Sequence, residues 1–244
     1  MDEAFPRIEP LGEGALLVRF ADRLDDRANR AAGAFRAALE ADRPAGAAET
    51  APSLGSVLVR MEDGADAEGL EDALRARLAA RDWAAVPPPP RRAWRIPCAF
   101  GGADGPQLDE VAAMAKLSPP EAVAALTAMP VRVLALGFAP GMPYLGILPE
   151  RWDLPRQAGL TPEVPEGALV LAVRQMVLFG TRAPTGWRQV GRTAFGCFRP
   201  GRDPAVALAA GDEVAFEAVS PQELADRAGA DAGETGGATW EAIG

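Results

Sequence analysis

From residue 131 onward the sequence breaks into short apolar runs, each stopped by glycine or proline. VRVLALGF (131–138), ALVLAV (168–173), MVLF (176–179), RQVGRT (188–193) and EVAFEAV (213–219) are the clearest. Runs of this length between such punctuators predict strands rather than helices. Many short strands joined by tight turns predict a β-barrel or a compact sandwich. AAGDEVAF (209–216) reads as a turn that feeds a closing strand.

The first part of the chain has a different rhythm. ALLVRF (15–20) and SVLVRM (56–61) read as strands. Residues 24–41 and 67–83 carry apolar groups at helical spacing, with Leu70, Leu74 and Leu78 four apart. Strand, helix, strand, helix predicts a small α+β layer over residues 1–85. VPPPP (86–90) then favours a stiff, extended spacer, so the domain boundary is placed in a linker at 86–93. The second domain is expected at 94–222. It opens on a strand, WRIPCAF (94–100), followed by a short helix at 107–115 and another at 118–129. In the latter Ser118 is the N-cap, Pro119 takes the first helical position and Glu121 completes a capping box. Residues 223–244 contain few large apolar groups and read as a mobile tail, with Trp240 free to dock on the fold or on a partner.

Composition narrows the chemistry. The 244 residues carry a net charge of −9, which argues against nucleic acid or an anionic membrane as partner. The one basic cluster, Arg91, Arg92 and Arg95, reads as solvation of the linker. There is no signal-peptide pattern and no apolar run near the ~20 residues of a membrane span, so a reducing cytoplasm is expected. Cys98 and Cys197 then read as buried, inert thiols. Histidine is absent, which removes Ser-His-Asp and Cys-His mechanisms and the commonest zinc ligand. Asp104, Asp109 and Glu110 read as helix N-terminal acids rather than a magnesium site. No metal site is expected, and no catalytic residue is assigned.

One segment stands apart. LGFAPGMPYLG (136–146) packs three glycines and two prolines around Phe138, Met142, Tyr144 and Leu145, and Tyr144 is the only tyrosine in the chain. It reads as the sharply turned entrance of a barrel. Either its glycines let backbone approach a ligand, or they supply positive φ to a rigid plug.

These segments, in order, resemble the KipI/PxpB family, whose members include the B-type subunit of 5-oxoprolinase (also described as allophanate hydrolase subunit 1) and a sporulation-kinase inhibitor. LGFAPGMPYLG is similar to its LGF-x-PGFPYLGG signature. IPCAFGGADGPQLDEVAAMAKLS (96–118), LPRQAGLTPEVPEGALVLA (154–172), APTGWRQVGRT (183–193) and the closing AAGDEVAF match further family segments, and the resemblance covers roughly residues 7–219. It implies an α+β N-terminal domain followed by a cyclophilin-like β-barrel domain. It also implies a homologous, PxpC-like partner (allophanate hydrolase subunit 2-like). The two together resemble the carboxyltransferase region of urea carboxylase, and a third, PxpA-like chain completes an ATP-dependent 5-oxoprolinase.

The chain departs from that pattern at AVRQMVLFG (172–180), where the family has AG-x-QTGIYP. Val173, Met176, Val177, Phe179 and Gly180 replace Gly, Thr, Gly, Tyr and Pro, while Gln175 is kept. The family's histidines are absent.

The resemblance and the residue types together single out eight substrate-binding candidates. Phe138, Gly141 and Tyr144 come from the kinked segment. Arg156 is either a carboxylate clamp or half of a surface pair with Glu150 or Asp153. Gln175 either reads an amide edge or staples the barrel. Trp187, Arg192 and Thr193 either wall a pocket or serve the core. The expected function is a subunit of an ATP-dependent hydrolase acting on a small amide, lactam or urea-like acid, with 5-oxoproline first. ATP is expected at the level of the complex, because this chain has no G-x-x-x-x-G-K-[ST] loop. The alternatives are a regulator of a sensor histidine kinase and the carboxyltransferase component of a urea or amide carboxylase.

Overall fold

A computed structural model describes residues 5–233 and 235–244. Two compact units are present, one ending at Pro90 and one spanning Arg91–Ile243. The change falls within the proline-rich stretch, but the first barrel strand already begins at Arg91. The basic cluster there does not solvate a linker. Arg91 pairs with Glu213 at 2.8 Å and Arg92 with Asp212 at 2.6 Å.

The first unit holds strands β1 (Arg7–Pro10), β2 (Ala15–Arg19), β3 (Ala47–Ser53) and β4 (Ser56–Met61) in an antiparallel sheet ordered β1-β2-β4-β3. Helices α1 (Asp26–Ala41) and α2 (Ala67–Ala79) belong to the same unit. The Asp25 side chain accepts from Ala28 N and the Asp66 side chain from Gly69 N, so each helix starts on an aspartate cap. Phe35, Leu39, Leu70, Leu74 and Trp83 share one core with Val18, Val57 and Val59. Two of the four strands escape the sequence pattern. Strand β3, AAETAPS, has no large apolar residue and contains Pro52, a combination suited to the sheet edge it occupies.

The second unit is built from β5 (Arg91–Phe100), α3 (Leu108–Met114), α4 (Pro119–Thr127), β6 (Val131–Leu136), β7 (Pro143–Gly146), β8 (Thr161–Val164), β9 (Ala168–Ala172), β10 (Gln175–Leu178), β11 (Ala183–Thr185), β12 (Arg188–Arg192), β13 (Glu213–Ala218), α5 (Pro221–Ala230) and β14 (Thr239–Ile243). Seven strands run in the order β12-β9-β10-β7-β6-β13-β5. Pairing of Gly191 and Arg192 with Phe100 and Ala99 returns β12 to β5 and closes a barrel. Strand β5 is ten residues long, so its first half has room for β14 on the same edge. Helix α4 begins on Ser118, whose N–H and hydroxyl both donate to the Glu121 carboxylate.

Residues 223–244 are therefore not a mobile tail. They complete α5 and form β14, which pairs with β5 from Thr239↔Arg95 to Ile243↔Arg91. The connection lacks an apolar core and is organised by a carboxylate instead. Asp231 accepts from Gly233 N, Thr235 N, Thr235 Oγ1 and Gly237 N. The Thr235 hydroxyl and these amides hold its carboxyl well below the usual range. Trp240 docks on the fold, its ring 6.1 Å from that of Trp94, and remains 56% exposed.

The β9–β10 hairpin turns on Val173 and Arg174, at φ 44° and 61°. A left-handed conformation costs a non-glycine residue about 1–2 kcal/mol, and a β-branched one is least suited to it. Tertiary bonds hold the turn: Val173 N donates to Leu154 O, Arg174 N to Trp152 O and Arg174 Nε to Leu148 O. Val173→Gly removes that strain but raises the entropy of the unfolded chain, by about 0.5–1 kcal/mol. Val173 also packs on the apolar cluster of Val170, Ala172 and Phe179, and losing that contact offsets the relief, so Tm is expected to move by less than about 2 °C in a thermal melt. A fall of more than about 4 °C contradicts this reading of the turn.

Candidate functional site

The strands around β10 are buried on both faces, and this places the site. Met176 and Leu178 point into the main core with Leu145, Leu169 and Leu171. Val177 and Phe179 point to the opposite face with Met142, Val170, Ala172 and Trp187. Period-two alternation makes the division, and burial on both faces explains the unbroken apolar runs. A separate two-stranded sheet, β8 paired with β11, lies in this second cluster through Val164 and Ala183.

Beside that cluster is a cavity of about 310 Å³ lined by Phe138, Met142, Tyr144, Arg156, Gln157, Leu160, Val177, Phe179, Pro184, Thr185, Gly186 and Trp187. Tyr144 lies on β7, not on a loop, opposite Val177 of β10. Its ring meets Trp187 edge-on, with centroids 6.4 Å apart. The Arg156 guanidinium carbon stands 5.6 Å above the Trp187 ring. Neither Glu150 nor Asp153 pairs with Arg156, and among the described residues neither its guanidinium nor the Tyr144 hydroxyl has a hydrogen-bond partner. The rim is apolar, with Phe138 73% and Leu160 70% exposed. Phe138 holds φ 70°, so its backbone is strained where its side chain meets solvent.

Of the eight candidates, four line this cavity: Phe138, Tyr144, Arg156 and Trp187. Gly141, Gln175, Arg192 and Thr193 do not. Gly141 has φ 70°, and a Cβ there would collide with Cys197 O, so this glycine seats the turn on the segment at Cys197. Gln175 is buried at the other end of β10, paired with Gly146 and Ala172. Arg192 is exposed at the far end of β12 from Trp187 and donates to Glu166 O. Thr193 is buried, and its Oγ1 accepts from Phe195 N.

Gln157 escapes the sequence reading. Its N–H donates to Gly186 O, its Nε2 donates to Thr161 Oγ1 at 3.2 Å and Trp187 O at 3.0 Å, and its Oε1 accepts from Gln107 Nε2 at 2.7 Å. Gln107 Oε1 in turn accepts from Gln189 N. Behind them Arg188 donates to Glu110 at 2.8 Å and to Pro155 O. This network ties the loop carrying Arg156 to β12. Only the residue types were visible in sequence; the Gln157–Trp187 and Gln107–Gln189 bonds join positions 30 and 82 residues apart.

The thiols lie apart from this chemistry. Cys98 and Cys197 are both buried and unpaired with one another. Burial pushes both up, Cys197 to about 12. An unfolded thiol ionises near about 8.5. The unfolded chain therefore sheds protons that the folded chain keeps, and thiol-linked stability is lost as pH rises from about 8.5 toward 12. Native protein at pH 8 is expected to resist alkylation, with both cysteines reacting in denaturant; rapid native labelling contradicts this. Gly141→Ala is expected to destabilise by about 2 kcal/mol or more in chemical denaturation, because neither φ nor space admits a Cβ. A neutral result contradicts the seating role.

The comparisons with known proteins agree with this architecture. The family model described as "Carboxyltransferase domain, subdomain C and D" matches residues 6–208. The chain is 32% identical to the B-type subunit of 5-oxoprolinase from Bacillus subtilis over 230 residues, 89% of this chain and 94% of that one. The crystal structure of TTHA0988 superposes with a TM-score of 0.72 at 28% identity, covering 85% of this chain and 40% of that one. Urea amidolyase of K. lactis gives a TM-score of 0.73 at 17% identity, covering 97% of this chain and 16% of that one, a likeness of fold. The chain thus spans well under half of both longer proteins. The match of the family model over residues 6–208 and the nearly end-to-end Bacillus subtilis relative make this chain a member of the family of carboxyltransferase domains, subdomains C and D.

Proposed function

We propose that this chain is the B-type subunit of a 5-oxoprolinase-like complex, an ATP-dependent hydrolase of a small amide or lactam acid. The observation that carries this reading is the nearly end-to-end match to the Bacillus subtilis protein. The cavity adds chemistry suited to such a substrate. Arg156 offers a planar fork to a carboxylate, Tyr144 offers an O–H, and Trp187 offers a flat wall. Acting with a PxpC-like partner and a PxpA-like chain, this protein binds and orients the acid. ATP use is assigned in this reading to the complex, and no step through it is given to these residues. Val177 and Phe179, two of the departures from the family pattern, line the cavity. They favour, as a second reading, a regulatory binding role in which the pocket is kept and turnover lost.

The test is co-expression with the two partner chains and measurement of ATP-dependent glutamate release from 5-oxoproline. Activity that requires this chain is expected. Tyr144→Phe is expected to lower kcat/KM about tenfold, and Arg156→Gln about 10–100-fold, the scale of one neutral and one charged hydrogen bond. A complex that assembles without turnover overturns the hydrolase reading and favours the regulatory one.

A further inference from the structure

The cavity that holds Tyr144 and Arg156 has more apolar wall than a compact polar acid needs. Its polar side chains divide into two groups. Those of Gln157 and Thr185 are engaged within the fold: the Gln157 amide bonds to Gln107, Thr161 and Trp187 O, and Thr185 Oγ1 accepts from Trp187 N. The Tyr144 hydroxyl and the Arg156 guanidinium are left for a ligand. Arg156 is exposed and stands over an indole, with no acid paired to it among the described residues, so its guanidinium is available to an anion. The remaining walls, Met142, Val177, Phe179, Pro184 and Trp187, are apolar, and Leu160 extends them to the rim. The volume of about 310 Å³ equals roughly ten water volumes. That accommodates an aromatic or branched aliphatic body in addition to a carboxylate.

We infer that the cavity takes an amide- or lactam-bearing carboxylate with an apolar, aromatic-sized substituent. The carboxylate lies on Arg156 and the Tyr144 O–H, and the substituent lies against Trp187, Val177 and Phe179. This names the substrate class of the site in the proposed hydrolase and rests on that reading for its location, but binding is measurable on the full chain without ATP or partners.

The test is isothermal titration of the full chain with N-acetylphenylalanine, N-acetylglycine, 5-oxoproline and N-acetylphenylalaninamide. N-acetylphenylalanine is expected to bind at least tenfold tighter than each of the others, since one lacks the carboxylate and two lack the apolar body. Arg156→Gln is expected to erase the preference for the acid over its amide. Trp187→Leu is expected to erase the preference for the aromatic acid over N-acetylglycine. Circular dichroism of both variants checks that they fold, and Arg156→Lys serves as a second variant that keeps charge without the fork. Equal affinity for all three acids overturns the inference, as does an absence of binding by wild type or an unchanged preference in Arg156→Gln. Glutamate release by the complex with equal acid affinities would leave the hydrolase reading standing without this inference; selective binding without turnover would do the reverse.

Discussion

The carboxylate of Asp212 is the constraint on which the barrel depends. It is 2% exposed and accepts from Arg92 N, Arg92 Nε and Nη2, Trp94 Nε1 and Ala209 N. Its own carbonyl accepts from Val133 N. One residue thereby joins the start of β13 to β5 and β6, where a parallel pairing (β13 with β5) meets an antiparallel one (β13 with β6). A charge so buried stays only because its oxygens are fully bonded, and removing one partner of such a pair typically costs about 3–5 kcal/mol. Trp94, positioned by this bond, packs its ring against Phe195 at 5.4 Å and against Trp240. The closing strands and the C-terminal strand are thus referred to one buried acid.

Closure in turn gives the strands two apolar faces, and the cavity follows from that. A strand such as ALVLA has no polar face to offer water. Its second face needs a cover, and the two-stranded β8–β11 sheet, with the loop that Gln157 ties to Gly186, Trp187 and Gln107, contributes to it. The cover stops at Tyr144 and Arg156. Rigid strands carry Tyr144 and Val177; a hydrogen-bonded loop carries Arg156. The geometry that makes the scaffold stable therefore also fixes the relative positions of the cavity's polar groups, an arrangement that lowers the cost of ordering them on binding.

Much of this was legible in the sequence where local patterns decide the outcome. The strands β4, β6, β9, β12 and β13 and the capping box at Ser118 follow from periodicity and cap chemistry that act over a few residues. The parts that were not legible are fixed at long range. Strand β3 carries Pro52 and no large apolar group, and only its place at a sheet edge makes it a strand. Strand β14 depends on β5, about 150 residues earlier, and on the turn that Asp231 organises. Tyr144 stood out as a lone tyrosine, yet its segment read as a turn because glycine and proline outweigh two aromatics in any local rule. Gln175 and Thr193 looked like pocket residues for their chemistry and turn out to be buried elsewhere. Nothing in their own neighbourhoods says which end of a strand faces the cavity.

The central claim is that ligand recognition in this chain centres on the cavity at Trp187. The chain has five tryptophans, at 83, 94, 152, 187 and 240. Trp83 lines one other cavity, Trp94 and Trp240 line another, and Trp152 is buried. Indole N–H resonances of 15N-labelled protein, followed during titration with N-acetylphenylalanine, report on all five at once. The account predicts a saturable shift of Trp187 with the other four nearly still. A dominant shift of Trp83, Trp94 or Trp240 would contradict it and move the binding site elsewhere.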